Sequence, residues 1–303
     1  MSLASKSLTP ASRKGPSWLP YLLISPTLVI VLVFTAWPTV QAIYTSFFRQ
    51  YLNIAKFRTP TFVGLENYKT LLTSPDFHEV LRNTAIYVVG TVPTSIVLAF
   101  LFALLVNRTV KGIGLARLAF FYPTILPMVS AATIWMFFFT PDYGLFNTAL
   151  RALGYHGPQN WLGNPHLALL AVMIVAVWKN AGYLMIFYLA GLQNLPTDVF
   201  EAASIDGASW WTQLWKIAFP LLRRTTLFVS TIAIIDAFQV VDHIFVLTQG
   251  GPSQSSSVLL YYLWQVRFED QNVGLASALT VVLIVIMLSI TVTNFVLSER
   301  EGA

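Results

Sequence analysis

Residues 201–222 read EAASIDGASWWTQLWKIAFPLL, the longest semi-polar passage in the second half of a chain that is otherwise mostly apolar. It stands between two runs, 167–190 and 225–247, that are long and apolar enough for a lipid bilayer. Pro196 and Thr197 mark a helix start ahead of it, with Asp198 and Glu201 in the first turn, where negative charge suits the helix dipole. Gly207 ends that helix after about ten residues, a length too short to be stable alone in water, so something must hold it. Beyond it, Trp210, Trp211, Leu214, Trp215 and Ala218 fall on one helical face, with Thr212, Gln213 and Lys216 opposite. Three tryptophans on one face suit the headgroup level. The second helix is therefore expected to lie on the membrane and re-enter near Pro220, leaving the first to project as a docking element for a soluble partner. A surface loop with helical character fits the same residues.

The rest of the chain sets this stretch in a membrane protein. Of 303 residues, 56% are hydrophobic and only 10% charged, far from a soluble average. The net charge of +5 comes from basic residues that stand singly or in pairs beside apolar runs. That pattern belongs to membrane flanks and argues against nucleic acid as a partner. There is no cysteine, which excludes a disulfide, a thiolate zinc site and a thiol nucleophile.

Six segments are expected to span: 19–48, 83–107, 118–141, 167–190, 225–247 and 271–298. The first is too long for a signal-peptide core and reads as an uncleaved helix. Lys179, in the fourth, costs about 2.5–3.5 kcal/mol on an insertion scale, and each Leu, Ile, Val or Phe returns roughly 0.3–0.6. Eleven such residues in that segment offset it. With six spans both termini share a side. Placing them in the cytoplasm puts ten Lys or Arg inside (Lys6, Arg13, Lys14, Arg108, Lys111, Arg117, Lys216, Arg223, Arg224, Arg300) against seven outside. Prolines at 26, 38, 93, 123 and 127 fit kinked helices around a cavity, or plain packing irregularity.

The opening stretch resembles the EAA signature in the membrane subunits of binding-protein-dependent ABC importers. The match rests on Glu201, Ala202, Ala203, Gly207, Ile217 and Pro220 at the signature's fixed spacing, with Phe219 where leucine is commoner. In that family the element is a coupling helix that fits a cleft on the cytoplasmic ATPase, so the resemblance implies ATPase docking by these residues together with Asp206. FVGLENYKTLL (62–72), PDYGLFNTALRALG with NWLGNP after it (141–165), LAGLQNLP (189–196) and LTQGGPSQSSSVLLYYLWQ (247–265) resemble the carbohydrate-uptake branch, which includes maltose and glycerol-3-phosphate importers. The likeness runs from about residue 18 to 297.

Enzyme chemistry finds no footing. No lysine follows a glycine, which excludes a P-loop, and neither HExxH nor GxSxG occurs. The histidines His78, His156, His166 and His243 are scattered. ATP and magnesium are therefore expected on a partner ATPase and no cofactor on this chain. Lys179 and Asp236 each fall near the middle of their spans at about 1.5 Å per residue, where an ionisable residue is a functional candidate. One reading has Lys179, Asn180, Asp236 and Gln239 lining a polar path, with Asp242 nearer its outer mouth. A free Lys179 would suit an anionic solute. The other reading is a Lys179–Asp236 ion pair locking two spans.

The segment 49–82 is expected to carry a short outer helix through Leu65, Tyr68, Leu71 and Leu72. Gly250 to Pro252 reads as a tight turn, followed by an outer interfacial helix over LLYYLWQ. The expectation is an all-helical integral membrane protein of the inner membrane with about six transmembrane helices. It comprises a tail at 1–17, a permease domain at 18–298 that includes the cytoplasmic segment 196–222, and a tail at 299–303. The resemblance implies import of a sugar or sugar-like solute, a second homologous permease subunit, a cytoplasmic ATPase dimer and an extracytoplasmic solute-binding protein. An ion-coupled secondary transporter, which would use acids such as Asp236 but normally shows an internal repeat, and a structural subunit of a larger enzyme are the rivals. Neither accounts for the gapped signature.

Overall fold

The computed structural model describes residues 18–108, 110–155 and 159–300; the expected N-terminal tail at 1–17, His156 and residues 301–303 lie outside them. The first helix, α1 (Leu19–Thr45), is 27 residues long and stops short of the expected 48 because the chain turns there into a two-stranded hairpin. In it β1 (Phe48–Arg49) pairs antiparallel with β2 (Thr61–Phe62). Pro26 and Pro38 sit inside α1 without breaking it. The short helix α2 (Glu66–Thr73) follows, burying Leu71 while Leu65 and Leu72 stay exposed. Only part of its expected apolar face is therefore packed.

Helix α3 (Pro75–Val106) runs 32 residues through Pro93 and starts with Ser74 Oγ accepting from Phe77 N at 3.4 Å. It packs along most of its length on α7 (Ala168–Gln193), and this pair is the frame of the molecule. Tyr87, Ala99, Ala103, Val172, Val175 and Leu184 form its seam, all essentially solvent-free. The small residues let the two backbones approach, which is how helices associate where lipid offers no hydrophobic drive.

The expected third span, 118–141, is not continuous. It is two helices, α4 (Ile113–Ile125) and α5 (Met128–Phe138), bent by 102°. The cause is local: Leu126 precedes a proline and is pushed to extended backbone (φ −67°, ψ 134°). Pro127 then offers no N–H to the turn before it. A short helix, α6 (Leu145–Ala152), follows and joins the aromatic cluster of Trp135, Phe139 and Trp161 through Phe146.

The expected fifth span, 225–247, is also interrupted. After α8 (Thr197–Ile205) and α9 (Trp210–Leu221), helix α10 (Arg223–Phe238) leaves α9 at a 65° bend and stops at Gln239; a separate helix, α11 (Asp242–Leu247), packs on α5. The unwound residues 239–241 line a cavity, the setting in which non-helical backbone is tolerated at membrane depth. Gly251 N bonds Thr248 O at 2.9 Å, making the expected turn, and a helix, α12 (Leu259–Trp264), forms over the expected residues. Asn83 on α3 donates to Gln254 O at 2.8 Å and Thr84 Oγ1 accepts from Leu259 N at 2.9 Å, which ties the segment 248–264 to α3. The last helix, α13 (Val273–Arg300), outruns the expected 298. Among the described residues four helices are long and apolar enough to cross a membrane, or up to six with each bent pair as one span.

Candidate functional site

The gapped stretch folds as two helices with a fixed corner. Asp206 ends α8, Gly207 N donates to Ser204 O at 3.1 Å, and Ala208 N donates to Ala203 O at 2.9 Å. These are the two bonds of a Schellman stop, and they require the left-handed backbone that Gly207 supplies at φ +76°. Ser209 then caps α9 by accepting from Thr212 N at 3.3 Å. Gln213 braces the corner, donating to Ser204 Oγ at 3.0 Å and to Ala208 O at 3.1 Å. Nothing in its sequence position distinguishes Gln213 from its polar neighbours, and it was read only as the wet side of a helix.

No residue of α8 is buried. Glu201 and Ala202 are exposed, Ala203 is partly covered, and Asp206 and Gly207 face outward. In α9 the expected single face divides. Leu214 and Ala218 are buried in the core, while Trp210, Trp211 and Trp215 are each more than half exposed. Periodicity had grouped these residues correctly along the helix but could not say that two of them meet protein. Ile217 is half-buried and Pro220 exposed. Between α8, α9 and the ends of α3 and α7 lies a largely apolar hollow of about 740 Å³, lined by Leu104, Leu195, Phe200, Ile205 and Leu214 among others.

The second site is a cavity of about 290 Å³ in the middle of the bundle. Lys179, Asn180, Asp236, Gln239 and Asp242, named from sequence as one group, all line it. They come from α7, from the end of α10 and from the start of α11, so the break at 239–241 is what aims them inward.

Lys179 is not ion-paired with Asp236. Its ammonium donates to Pro123 O at 3.2 Å, to Thr124 O at 3.3 Å and, in a shorter contact, to Leu126 O. These are carbonyls at the end of α4 that the bend deprives of helical donors. One turn along α7, Gly182 brings its backbone against α4: a Cβ there would lie 1.9 Å from Phe120 O. The side chains of Asn180, Asp236, Gln239 and Asp242 make no hydrogen bond or ion pair among the described residues.

Two further cavity residues escaped the sequence reading. Tyr87 and His243 are almost fully buried and meet at 3.1 Å between Tyr87 Oη and His243 Nε2. Tyrosine within an apolar run looks like packing, and His243 carried no motif. Among the described residues no group of three His, Cys, Asp or Glu could hold a metal ion.

The two sites share a scaffold. Tyr87 and Leu104 on α3 are 17 residues apart, about 25 Å of helix, and the same pair of helices, α3 and α7, lines the hollow and the cavity.

Known proteins place this architecture. Residues 81–300 match the family described as binding-protein-dependent transport system inner membrane component. The chain is 35% identical over 284 residues to the sn-glycerol-3-phosphate transport system permease protein UgpA of Agrobacterium fabrum, covering 93% of this chain and 95% of that one. It is also 35% identical to the trehalose/maltose transport system permease protein MalF of Thermococcus litoralis, covering 94% and 95%. A crystal structure of a bacterial ABC transporter involved in import of the acidic polysaccharide alginate contains a chain of the same fold, with a TM-score of 0.79 at 22% identity over 93% of this chain and 96% of that one. These relatives are transport permeases, and they lend nothing to an ion-coupled transporter. With the family match over most of its length and relatives this similar from end to end, the chain belongs to the inner-membrane permease components of binding-protein-dependent transport systems.

Proposed function

We propose that this permease forms one half of the translocation pathway of an ATP-driven importer for a sugar or sugar-like solute, with glycerol phosphate within the range set by its relatives. The observation that carries this reading is the convergence of Lys179, Asn180, Asp236, Gln239 and Asp242 on one mid-bundle cavity. In this reading both termini are cytoplasmic. The helix α8, with Glu201, Ala202, Ala203, Asp206, Gly207, Ile217 and Pro220 around its corner, docks on a cytoplasmic ATPase dimer that binds ATP and magnesium. A second, homologous permease subunit supplies the facing wall, and an extracytoplasmic solute-binding protein delivers solute to the outer segment at 248–258. The exposed and unpaired surface of α8 supports docking, since a nine-residue helix with no buried residue needs a partner to be held.

The test is uptake into proteoliposomes by the complex purified from its native membrane. ATP-dependent accumulation that is lost in Gly207→Val, with the ATPase no longer co-purifying, is the expected result. Accumulation that persists after the ATPase is removed would sink the reading.

A further inference from the structure

We propose that this chain's wall of the pathway carries a negative potential and selects an uncharged, hydroxyl-bearing solute over an anionic one. The inference rests on the pathway reading above and goes on to the charge of what passes.

An ammonium has three N–H donors. In Lys179 three backbone carbonyls take them, those of Pro123, Thr124 and Leu126. Among the described residues no backbone N–H replaces the ammonium at these carbonyls, because Pro127 has none and the helix has turned away. Drawing Lys179 off to meet a phosphate or sulfonate would orphan all three within the membrane, which is costly for each. The lysine that looks in sequence like an anion receptor is thus a positioning residue for the bent span.

What remains facing the cavity is two carboxylates against one ammonium whose N–H groups are turned to the carbonyls, an excess of one negative charge. The titratable side chains that line it are Tyr87, Lys179, Asp236, Asp242 and His243. Tyr87 and His243 are hydrogen-bonded to each other. Asp236 and Asp242 have no partner among the described residues, and the amides of Asn180 and Gln239 are likewise uncommitted. Carboxylates only accept hydrogen bonds, while amides both donate and accept. A sugar hydroxyl can satisfy both, whereas a phosphate, sulfonate or uronate meets two carboxylates that the single, committed ammonium of Lys179 offsets only in part. Relatives named for sn-glycerol 3-phosphate and for trehalose and maltose are equally similar to this chain, so overall identity does not choose between these classes and the cavity does.

The absence of cysteine gives a direct test. A single Gln239→Cys in the assembled complex is labelled with the trimethylammonium-ethyl and the sulfonato-ethyl methanethiosulfonates. The cationic reagent is expected to react about tenfold faster or more, relative to their rates with free thiol. Adding Asp242→Asn, or Asp236→Asn where that variant assembles, is expected to bring the ratio towards one. Labelling is then repeated with panels of uncharged sugars and polyols, and of sugar phosphates, sulfonates and uronates. Protection from the uncharged panel alone is expected. Equal or faster reaction of the anionic reagent, or protection by the anionic panel, overturns the proposal. The two readings fail differently: a negative cavity that no solute of either class protects, in a complex that still transports, counts against the pathway reading while leaving the measured potential in place.

Discussion

Gly182 sets the backbone of α7 against the carbonyl oxygen of Phe120 on α4, so close that a methyl group there would lie 1.9 Å from that oxygen. The obstacle is backbone, which cannot rotate aside. Gly182→Ala should therefore destabilise the purified complex by about 1–3 kcal/mol, the usual cost of overpacking. Gly191→Ala, which meets the movable ends of Leu222 and Thr225, should cost less. Thermal unfolding of the two variants side by side checks the order.

Lys179→Met removes the three donors that satisfy the bend while keeping an apolar stem of similar reach. Leaving a buried acceptor unpaired costs about 1–3 kcal/mol, and these partly buried carbonyls should each cost less than that. The variant should unfold at a lower temperature than the parent, and proteolysis near residues 123–128 should speed up. A midpoint equal to that of the parent would mean that the carbonyls find other partners.

Gly207 has open space around its missing side chain, so its constraint is conformational and not steric. At φ +76° asparagine is tolerated better than alanine, and a β-branched residue worst. Retention of the ATPase on the permease, measured by co-purification, should fall in the order Gly207→Asn, Gly207→Ala, Gly207→Val. Equal loss in all three would point to contact with a partner surface instead.

Tyr87 and His243 are almost fully buried and hydrogen-bond each other at the wall of the cavity. Removing either polar group strands the other, at about 1–3 kcal/mol. Tyr87→Phe and His243→Leu should each destabilise, and the double variant should cost less than their sum. Additive effects in thermal melts would show that the pair is not coupled.

The sequence carried much of this architecture and missed what depends on direction. Hydropathy located the four long apolar helices, because span length is set by the bilayer, and it marked the two bent pairs only as apolar runs. It could not see that 118–141 turns through 102° or that 225–247 unwinds at 239–241, since a window average has no orientation. The prolines at 123 and 127 flagged the first break, and nothing flagged the second. The cavity group was legible because ionisable and amide side chains at that depth are rare. Lys179's true partners were not, because backbone carbonyls leave no mark in a sequence. The gapped stretch was legible through its fixed spacing, and its bracing residue, Gln213, was not.

The bend at Leu126 has a further consequence for the membrane itself. The 13 residues of α4 make about 20 Å of helix and the 11 of α5 about 17 Å, against a hydrocarbon core of about 30 Å. Turned nearly at right angles, neither piece adds much to the other's reach. Met128 at the start of α5 and Lys179 over the end of α4 both border the polar cavity. The apolar length of this segment is therefore broken at the corner that borders the polar cavity, and neither helix alone matches the thickness of a hydrocarbon core there.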